Sequence, residues 1–282
     1  MAKHFPSTNL AASRLRQTMK FENKAQLSEW VFHAKRLWLF LDYDGTLADF
    51  APTPEHIEPN PDVIRLLEQL SHKSNVRVVI LSGRRLHHIR MLVPLPGLFL
   101  AGTYGIELQT PTGETEHRVE YDVIRPALEA LKPQWSQLIG ERDGFFLEDK
   151  GWSLALHARF ADDKEAEEVL AKAQLATSTI AWKDQFRILG GHKFLEIAPR
   201  LASKKKTVAY LLNRYPLDAS LIYIGDDDKD EEAFPLIRAN RGVAIKVLQP
   251  SQVERPTEAN FFFASPADTR HWLQALVDHK EN

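Results

Sequence analysis

This chain is organised around the stretch Leu37-Trp38-Leu39-Phe40-Leu41-Asp42-Tyr43-Asp44-Gly45-Thr46-Leu47. A run of five apolar residues between polar ones is typical of a strand buried on both faces of a parallel sheet. In such sheets the chemistry lies beyond the carboxyl ends of the strands, where Asp42 and Asp44 occur. These carboxylates could bind a hard cation and provide a nucleophile. They could also belong to an ordinary turn, since Asp and Gly are common turn residues.

Composition and charge narrow the classes of function. The chain has 36 Lys and Arg against 38 Asp and Glu, and this net charge of -2 gives no reason to expect nucleic acid or an anionic membrane as a partner. The chain has no cysteine, which excludes disulfides and thiolate metal sites. No apolar run reaches the roughly 18 residues of a spanning helix, and residues 1–7 lack the apolar segment of a signal peptide. We therefore expect a cytoplasmic protein; the oligomeric state stays open, with a monomer as the simpler expectation.

The rest of the chain predicts a sheet of the α/β class. Apolar runs that predict further strands occur at 76–81, 98–101, 221–224, 243–247 and 261–263. They alternate with helical patterns, which is typical of a doubly wound parallel sheet with a Rossmann-like core. Residues 108–191 break this alternation with a mixture of strand and helix patterns, and so predict an inserted α/β domain. The predicted units are an N-terminal helical extension (1–30), a core domain (31–107 and 192–282) and the inserted domain (108–191).

Ser82-Gly83-Arg84 follows the second predicted strand. A hydroxyl and nearby backbone N–H groups at the start of a helix suit a phosphate oxygen. Ser82 could equally be the N-cap of that helix, which needs no ligand.

A second acidic group, Asp226, Asp227 and Asp230, follows the predicted strand 221–224. Two carboxylate clusters at neighbouring strand ends would repel each other unless a cation lay between them, and oxygen-only ligands indicate Mg²⁺. Phosphoryl transfer also requires a positive charge near the transferred group. Lys204, which opens a helix as the chain re-enters the main sheet, is the candidate; Lys204-Lys205-Lys206 could instead be a surface cluster.

The order of these motifs resembles the haloacid dehalogenase superfamily of phosphatases. Asp-x-Asp-Gly-Thr, Ser-Gly-Arg, Lys and Gly-Asp-Asp-x-x-Asp occur in that order between Asp42 and Asp230. The resemblance implies that Asp42 is a nucleophile that becomes an aspartyl-phosphate, and that Asp44 acts as general acid and then as base. It also implies that the inserted domain is a cap that closes over the substrate.

The same resemblance implies binding roles for the other motif residues. Phosphate would be bound by Ser82, Gly83 and Lys204, with Lys204 also offsetting charge in catalysis. Magnesium would be held by Asp42, by the Asp44 carbonyl and by Asp226, with Asp227 and Asp230 supporting the metal site.

The resemblance extends to one branch of that superfamily, the trehalose-6-phosphate phosphatases. Two stretches of the sequence look like this branch, 148–159 (Glu-Asp-Lys-Gly-Trp-Ser-Leu-Ala-Leu-His-Ala-Arg) and 191–197 (Gly-His-Lys-Phe-Leu-Glu-Ile). They imply that the substrate is contacted by Lys150, His157, Arg159, Lys193 and Glu196. The sequence departs from the branch at Tyr104, Ala198, Lys205 and Lys229, where His, Arg, Gly and Thr are usual. These positions bear on the identity of the sugar more than on the reaction.

We therefore expect an enzyme, a Mg²⁺-dependent phosphoric monoester hydrolase of trehalose biosynthesis that converts trehalose 6-phosphate to trehalose and phosphate. Another glycosyl phosphate, such as a glucosyl- or mannosyl-glycerate phosphate, is an alternative substrate. A non-catalytic sugar-phosphate binding module is a further alternative, but it would not need the nucleophile Asp42 beside the acid Asp44. A phosphomutase fits a large cap with sugar-like residues less well.

Overall fold

The structure, a computed structural model, describes residues 23–50, 58–180, 183–249 and 256–279. These residues contain two β-sheets and nine α-helices, together with short 3-10 helices. The strands are β1 (Leu37–Leu41), β2 (Val76–Leu81), β3 (Phe99–Gly102), β4 (Glu107–Gln109), β5 (Thr115–His117), β6 (Phe146–Asp149), β7 (Leu154–His157), β8 (Phe186–Gly191), β9 (Phe194–Pro199), β10 (Ser220–Gly225), β11 (Val243–Val247) and β12 (Phe261–Phe263). The helices are α1 (Lys24–Phe32), α2 (Pro61–Ser71), α3 (Leu86–Leu92), α4 (Tyr121–Ile139), α5 (Asp163–Ala176), α6 (Lys204–Arg214), α7 (Asp228–Glu231), α8 (Phe234–Ala239) and α9 (Pro266–Asp278).

The larger sheet has the strand order β12-β11-β10-β1-β2-β3-β4-β5. The strands from β12 to β3 pair in parallel, and β4 and β5 add an antiparallel edge. From the central pair of β1 and β10, the chain continues outward to β2 and β3 on one side and to β11 and β12 on the other. The carboxyl ends of β1 and β10 therefore lie at a topological switch point, where ligands bind in open α/β sheets. This topology confirms the predicted doubly wound sheet.

Hydrophobic clusters cover both faces of this sheet, because successive side chains of a strand point to opposite sides. Leu37, Leu39 and Leu41 of β1 are buried in a cluster with residues of α1, α2, α3 and α9. Trp38 and Phe40 are buried in a second cluster with residues of α6 and α8. All of β1 is buried, as its apolar run predicts.

The smaller sheet is antiparallel and has the order β6-β7-β9-β8. Helices α4 and α5 pack against it in one hydrophobic cluster, in which Trp135 of α4 is fully buried. The indole N–H of Trp135 donates to the Ala173 carbonyl of α5 at 2.9 Å, which joins the two helices. This sheet and its two helices, called the cap below, are the predicted inserted α/β domain; the larger sheet with its helices is called the core.

The strand pairing differs from the predicted limits of the inserted domain, 108–191, at both ends. Strands β4 and β5 extend the core sheet, because β4 pairs with β3. Strand β9 pairs with both β7 and β8 and therefore belongs to the cap sheet. These limits depend on which distant strands pair with each other. The local sequence patterns that predict strands carry no information on this pairing.

The predicted N-terminal extension, 1–30, is described only in part, since residues 1–22 lie outside the described residues. Helix α1 follows, and its Leu27 and Val31 are buried in the same cluster as β1. Helix α1 is thus part of the core domain. Within the described ranges, none of the helices combines the length and the apolar character that crossing a membrane requires.

Candidate active site

The carboxyl ends of three strands bring the predicted motifs together. Strand β1 ends directly before Asp42, β2 before Ser82 and β10 before Asp226. After Asp42 the chain turns sharply, with the Tyr43 carbonyl accepting three backbone N–H groups from residues that follow Gly45. Gly45 has a φ of 80°, and a Cβ there would lie 2.6 Å from Asp226 Oδ2. The segment is therefore a turn, and its glycine lets that turn approach the acidic side chain.

Lys204 joins the two acidic motifs. Its Nζ donates to Asp42 Oδ1 at 2.7 Å and to Asp230 Oδ1 at 2.6 Å, and its side chain is only 3% exposed. Burial disfavours the charged ammonium, but the carboxylates of Asp230 and Asp42 outweigh it and hold the pKa of Lys204 well above its ordinary value. The alternative of a surface cluster is therefore wrong for Lys204, whereas Lys205 and Lys206 are exposed.

Asp230 and Asp227 hold the acidic turn after β10 in place. Asp230 Oδ1 also accepts from the Tyr223 hydroxyl at 2.6 Å, and its Oδ2 accepts from the backbone N–H groups of Asp226 and Asp227 at 3.1 Å each. Asp227 Oδ1 caps α7 by accepting the N–H groups of Lys229 and Asp230 at 2.8 and 3.1 Å. Because protein donors occupy both Asp230 oxygens, this residue supports the site.

Asp226 offers a carboxylate oxygen to a cation. Its Oδ2 is buried and has no hydrogen-bond partner in the described part of the chain. One carboxylate oxygen each from Asp42, Asp226 and Asp230 lie within 4.8 Å of one another. Burial and the negative charge of Asp42 raise the pKa of Asp226 well above its ordinary value, a repulsion that a bound cation would relieve. An all-oxygen donor set with one unpaired buried oxygen fits a hard divalent cation.

Asp44, the second carboxylate of the first motif, is paired with Arg84. The guanidinium donates from Nε to Asp44 Oδ2 at 2.7 Å and from Nη2 to Oδ1 at 2.8 Å, a bidentate contact. Ser82 is buried, and its Oγ accepts the backbone N–H of Arg84 at 3.1 Å, which leaves its own hydroxyl hydrogen to donate. The N-cap of α3 is Arg85, so the alternative that Ser82 caps this helix is wrong. Residues 82–84 are called the serine turn below.

A cavity of about 690 Å³ lies between these strand ends and the cap, a size common for small-molecule sites. Its core side is lined by Asp42, Asp44, Phe50, Ser82, Gly83, Arg84, Tyr104, Lys204, Asp226, Asp227 and Lys229. Its cap side is lined by Gly144, Phe145, Phe146, Glu148, Lys150, His157, Arg159, Phe160, His192, Lys193 and Phe194. Of the predicted site residues, all of which the structure describes, only Glu196 and Asp230 are absent from the lining.

Glu148 and Lys150 form a charged part of the cap wall. Glu148 Oε2 lies 3.0 Å from His157 Nε2 and 3.8 Å from Lys150 Nζ. Burial opposes the charge of Glu148, but His157 and Lys150 outweigh it and lower the pKa of this carboxyl below its ordinary value. This wall therefore presents hydrogen-bonding groups of both signs to the cavity.

Glu196, predicted as a direct substrate ligand, is fully buried behind that wall. Its carboxylate accepts from the Tyr104 hydroxyl at 2.8 Å and from Ser153 Oγ at 2.6 Å, and Lys150 Nζ lies 3.3 Å from both of its oxygens. Strand β9 is paired on both sides, and the Glu196 side chain faces the core. Its carboxylate is therefore bound by protein groups and not by a ligand. The structure gives Glu196 a supporting position.

The other two predicted cap ligands line the cavity in different ways. Arg159 is exposed, with its guanidinium carbon 5.9 Å from the Phe160 ring. The Lys193 ammonium donates to the Ala161 carbonyl at 2.6 Å and pairs with Asp163 at 2.6 Å. Lys193 is therefore bound to the cap's own backbone, whereas Arg159 is accessible from the cavity.

Several lining residues are not among those predicted from the sequence. Glu148 and Arg84 lie inside the predicted motifs, and their position beside predicted ligands is the signal that could have identified them. Phe50, Phe146 and Phe160 are exposed aromatic residues at 52%, 41% and 74%, and no sequence signal distinguishes them from core residues.

Residues 40–267 match the family described as Trehalose-phosphatase. The Mycobacterium marinum protein named trehalose-phosphate phosphatase is 33% identical over 245 residues, which cover 85% of this chain and 61% of that protein. The protein of the same name from Mycobacterium tuberculosis strain H37Rv is 31% identical over 249 residues, covering 86% and 62%. The chain thus spans about three fifths of the length of these relatives.

Solved structures with a similar fold carry related names. The C-terminal domain of Candida albicans trehalose-6-phosphate phosphatase has a TM-score of 0.79 and 19% identity, and the match covers 93% of this chain and 99% of that one. Aspergillus fumigatus trehalose-6-phosphate phosphatase has a TM-score of 0.65 and 23% identity, covering 91% and 97%. At these identities the likeness supports the fold alone. The family match, by contrast, includes every motif of the site, from Asp42 to Asp230, and the chain belongs to the trehalose-phosphatase family.

Proposed function

We propose that this chain hydrolyses trehalose 6-phosphate to trehalose and inorganic phosphate through an aspartyl-phosphate on Asp42. The observation that carries the proposal is the contact of Asp42 with the buried ammonium of Lys204 beside a cavity that has a polar cap wall. A carboxylate can attack a phosphate dianion only where cations offset the repulsion, whereas a binding module needs no nucleophile. Family membership and the names of the relatives support the choice of substrate.

The phosphate would be held by Ser82, Gly83 and Lys204. In its hydrogen bond with the Arg84 N–H, the Ser82 hydroxyl acts as the acceptor, so its own hydrogen can be donated to the phosphate. Gly83 has no side chain, so its backbone can come close to a ligand. The Lys204 ammonium lowers the repulsion between the phosphate and the nucleophile.

Mg²⁺ suits the acidic group beside the nucleophile. We propose that Asp42, Asp226 and the backbone carbonyl of Asp44 hold it, while Asp227 and Asp230 fix the turn that carries Asp226. When bound, Mg²⁺ would offset the negative charge of the phosphate and of the nucleophile.

The reaction uses two steps at one carboxylate. An Asp42 oxygen attacks phosphorus and the bond from phosphorus to the sugar oxygen breaks, while Asp44 donates a proton to that oxygen. Asp44 then takes a proton from a water molecule, which attacks phosphorus and breaks its bond to Asp42. Phosphate leaves, and the Asp42 carboxylate is restored. Because Arg84 donates to both Asp44 oxygens, Asp44 has to release one of these contacts and carry a proton on the freed oxygen before it can protonate the leaving oxygen.

The sugar would be recognised by the cap. A site built from hydrogen-bonding groups rejects ligands that lack the matching hydroxyls, because its own polar groups are then left unpaired. The residues proposed to contact the sugar or its phosphate are Glu148, Lys150, His157, Arg159 and Lys193, with Glu196 behind them. The expectations of a cytoplasmic location and of no nucleic-acid partner remain predictions from the sequence.

Phosphate release from a panel of substrates tests this function. The panel contains trehalose 6-phosphate, glucose 6-phosphate, a glucosylglycerate phosphate, a mannosylglycerate phosphate and a small aryl phosphate. We expect kcat/KM for trehalose 6-phosphate to exceed the others by about tenfold or more. A higher value for either glycerate compound would change the substrate, and binding of trehalose 6-phosphate without turnover of any compound would indicate a binding module.

A further inference from the structure

Thr103, Tyr104 and Gly105, between β3 and β4, have left-handed backbone angles. Their φ values are 48°, 55° and 89°, and this region is unfavourable for the first two because they carry a Cβ. Contacts hold the turn in place: the Thr207 hydroxyl donates to the Tyr104 carbonyl at 2.8 Å, and the Thr103 hydroxyl donates to Glu107 at 3.0 Å. Such outliers cost free energy and cluster at functional sites. The left-handed turn at residues 103–105 determines the direction of the Tyr104 side chain.

The Tyr104 side chain lies between the serine turn and the cap. A Cβ on Gly83 would lie 2.8 Å from the tyrosine ring, so the glycine makes room for it. The hydroxyl reaches Glu196 Oε2 at 2.8 Å, across the contact between core and cap. Burial and the Glu196 charge raise the pKa of Tyr104 well above its ordinary value, so the phenol keeps the proton that it donates.

From Glu196, polar contacts continue to the cavity. Lys150 Nζ lies 3.3 Å from both Glu196 oxygens and 3.8 Å from Glu148 Oε2, and that oxygen lies 3.0 Å from His157 Nε2. Lys150, Glu148 and His157 all line the cap side of the cavity. Tyr104 is therefore the core end of a continuous chain of contacts that reaches the groups proposed to bind the sugar.

We propose that Tyr104 is a positioning residue that ties the cap's sugar-facing groups to the serine turn of the core, an inference that rests on the proposed function. Its hydroxyl fixes Glu196, Glu196 fixes the Lys150 ammonium, and Lys150 is thereby held beside Glu148. One connected structure then spans the phosphate end and the sugar end of the substrate. Binding energy from the sugar can act on the reacting phosphate only through a link of this kind.

Tyr104→Phe tests the link, because phenylalanine keeps the ring beside Gly83 and loses only the hydroxyl. We expect kcat/KM for trehalose 6-phosphate to fall by about tenfold or more, the ordinary effect of deleting a hydrogen bond to a charged group. A small aryl phosphate cannot reach the cap groups, so kcat/KM for that substrate should change by less than about twofold. The matched control, Tyr121→Phe, removes a hydroxyl from an exposed cap tyrosine and should leave both values unchanged.

A double variant separates positioning from a general structural role. If Tyr104 acts through Glu196, Tyr104→Phe with Glu196→Gln should be no less active on trehalose 6-phosphate than Glu196→Gln alone. Additive losses would overturn the proposal. Equal losses on both substrates, or no loss on either, would overturn it as well.

Hydrogen–deuterium exchange supplies a measurement that needs no substrate. The amides of 146–149 and 194–197 should exchange faster in Tyr104→Phe than in the wild type, because the lost contact lets this part of the cap open more often. Unchanged exchange would overturn the inference. A wild-type protein that hydrolyses the aryl phosphate but not trehalose 6-phosphate would contradict the proposed function, and the exchange rates would still decide the role of Tyr104.

Discussion

Glu196→Ala should destabilise the whole contact between core and cap, and not only weaken sugar binding. Glu196 is fully buried and holds Lys150, Tyr104 and Ser153 at once. Removing one partner of a buried ion pair typically costs about 3–5 kcal/mol, because the other charge stays buried. A hydroxyl left unpaired costs about 1–3 kcal/mol, unless water from the neighbouring cavity reaches it. We therefore expect the free energy of unfolding to fall by about 3–5 kcal/mol.

Thermal unfolding followed by circular dichroism measures this loss. At about 2–4 °C per kcal/mol for a domain of this size, the Tm should fall by roughly 6–20 °C. Glu167→Ala, at an exposed glutamate of the cap helix α5, is the control and should stay within about 0.5 kcal/mol of the wild type. The double variant Lys150→Met with Glu196→Gln removes both charges and should be more stable than Glu196→Ala. A Tm for Glu196→Ala equal to that of the control would refute the reasoning.

The nucleophile, the metal site and a cap ion pair each provide a further test. Asp42→Asn should fold but lose turnover, since an amide cannot form an acyl phosphate; phosphate release and the Tm check both points. A chelator should abolish activity, and Asp226→Ala should raise the Mg²⁺ concentration for half activity by about tenfold or more in a MgCl₂ titration. Hydrogen bonds from Arg125 and Lys132 hold the pKa of Asp149 well below its ordinary value. Its stabilising effect is therefore present above the unfolded pKa of about 3.9 and is lost as the pH falls toward the folded pKa, so the Tm difference between wild type and Asp149→Asn should shrink from about pH 6 to about pH 3.

The strand ends could be predicted because their signal is local. The apolar run of β1 and the two carboxylates that follow it lie within one short stretch, so sequence alone placed Asp42 at the edge of a buried parallel sheet. Ser82 and Asp226 follow their strands in the same way. Lys204 required the order of the motifs, because a run of three lysines is by itself a surface pattern.

Glu196 illustrates what could not be predicted. Its motif marks it as polar and important, but its role depends on Tyr104, 92 residues away, and on Ser153, 43 residues away. These partners come from the core and from a different part of the cap, and neither periodicity nor composition indicates that they meet. The limits of the cap were misplaced for the same reason, since β4 and β9 are assigned to their sheets by distant pairing.

The charge balance at the strand ends determines when phosphate can approach the nucleophile. In the described structure the carboxyl groups of Asp42, Asp226, Asp227 and Asp230 lie near two ammonium groups, those of Lys204 and Lys229, while Asp44 is paired with Arg84. Two unit charges about 4 Å apart interact by about 4 kcal/mol at an effective dielectric constant near 20, so this excess negative charge would strongly repel a phosphate dianion. Lys204 offsets only part of this repulsion, because Asp42 and Asp230 already share its ammonium. We therefore expect a divalent cation to bind these carboxylates before the phosphate approaches Asp42, and the Asp226 oxygen that has no partner in the described structure is available to it.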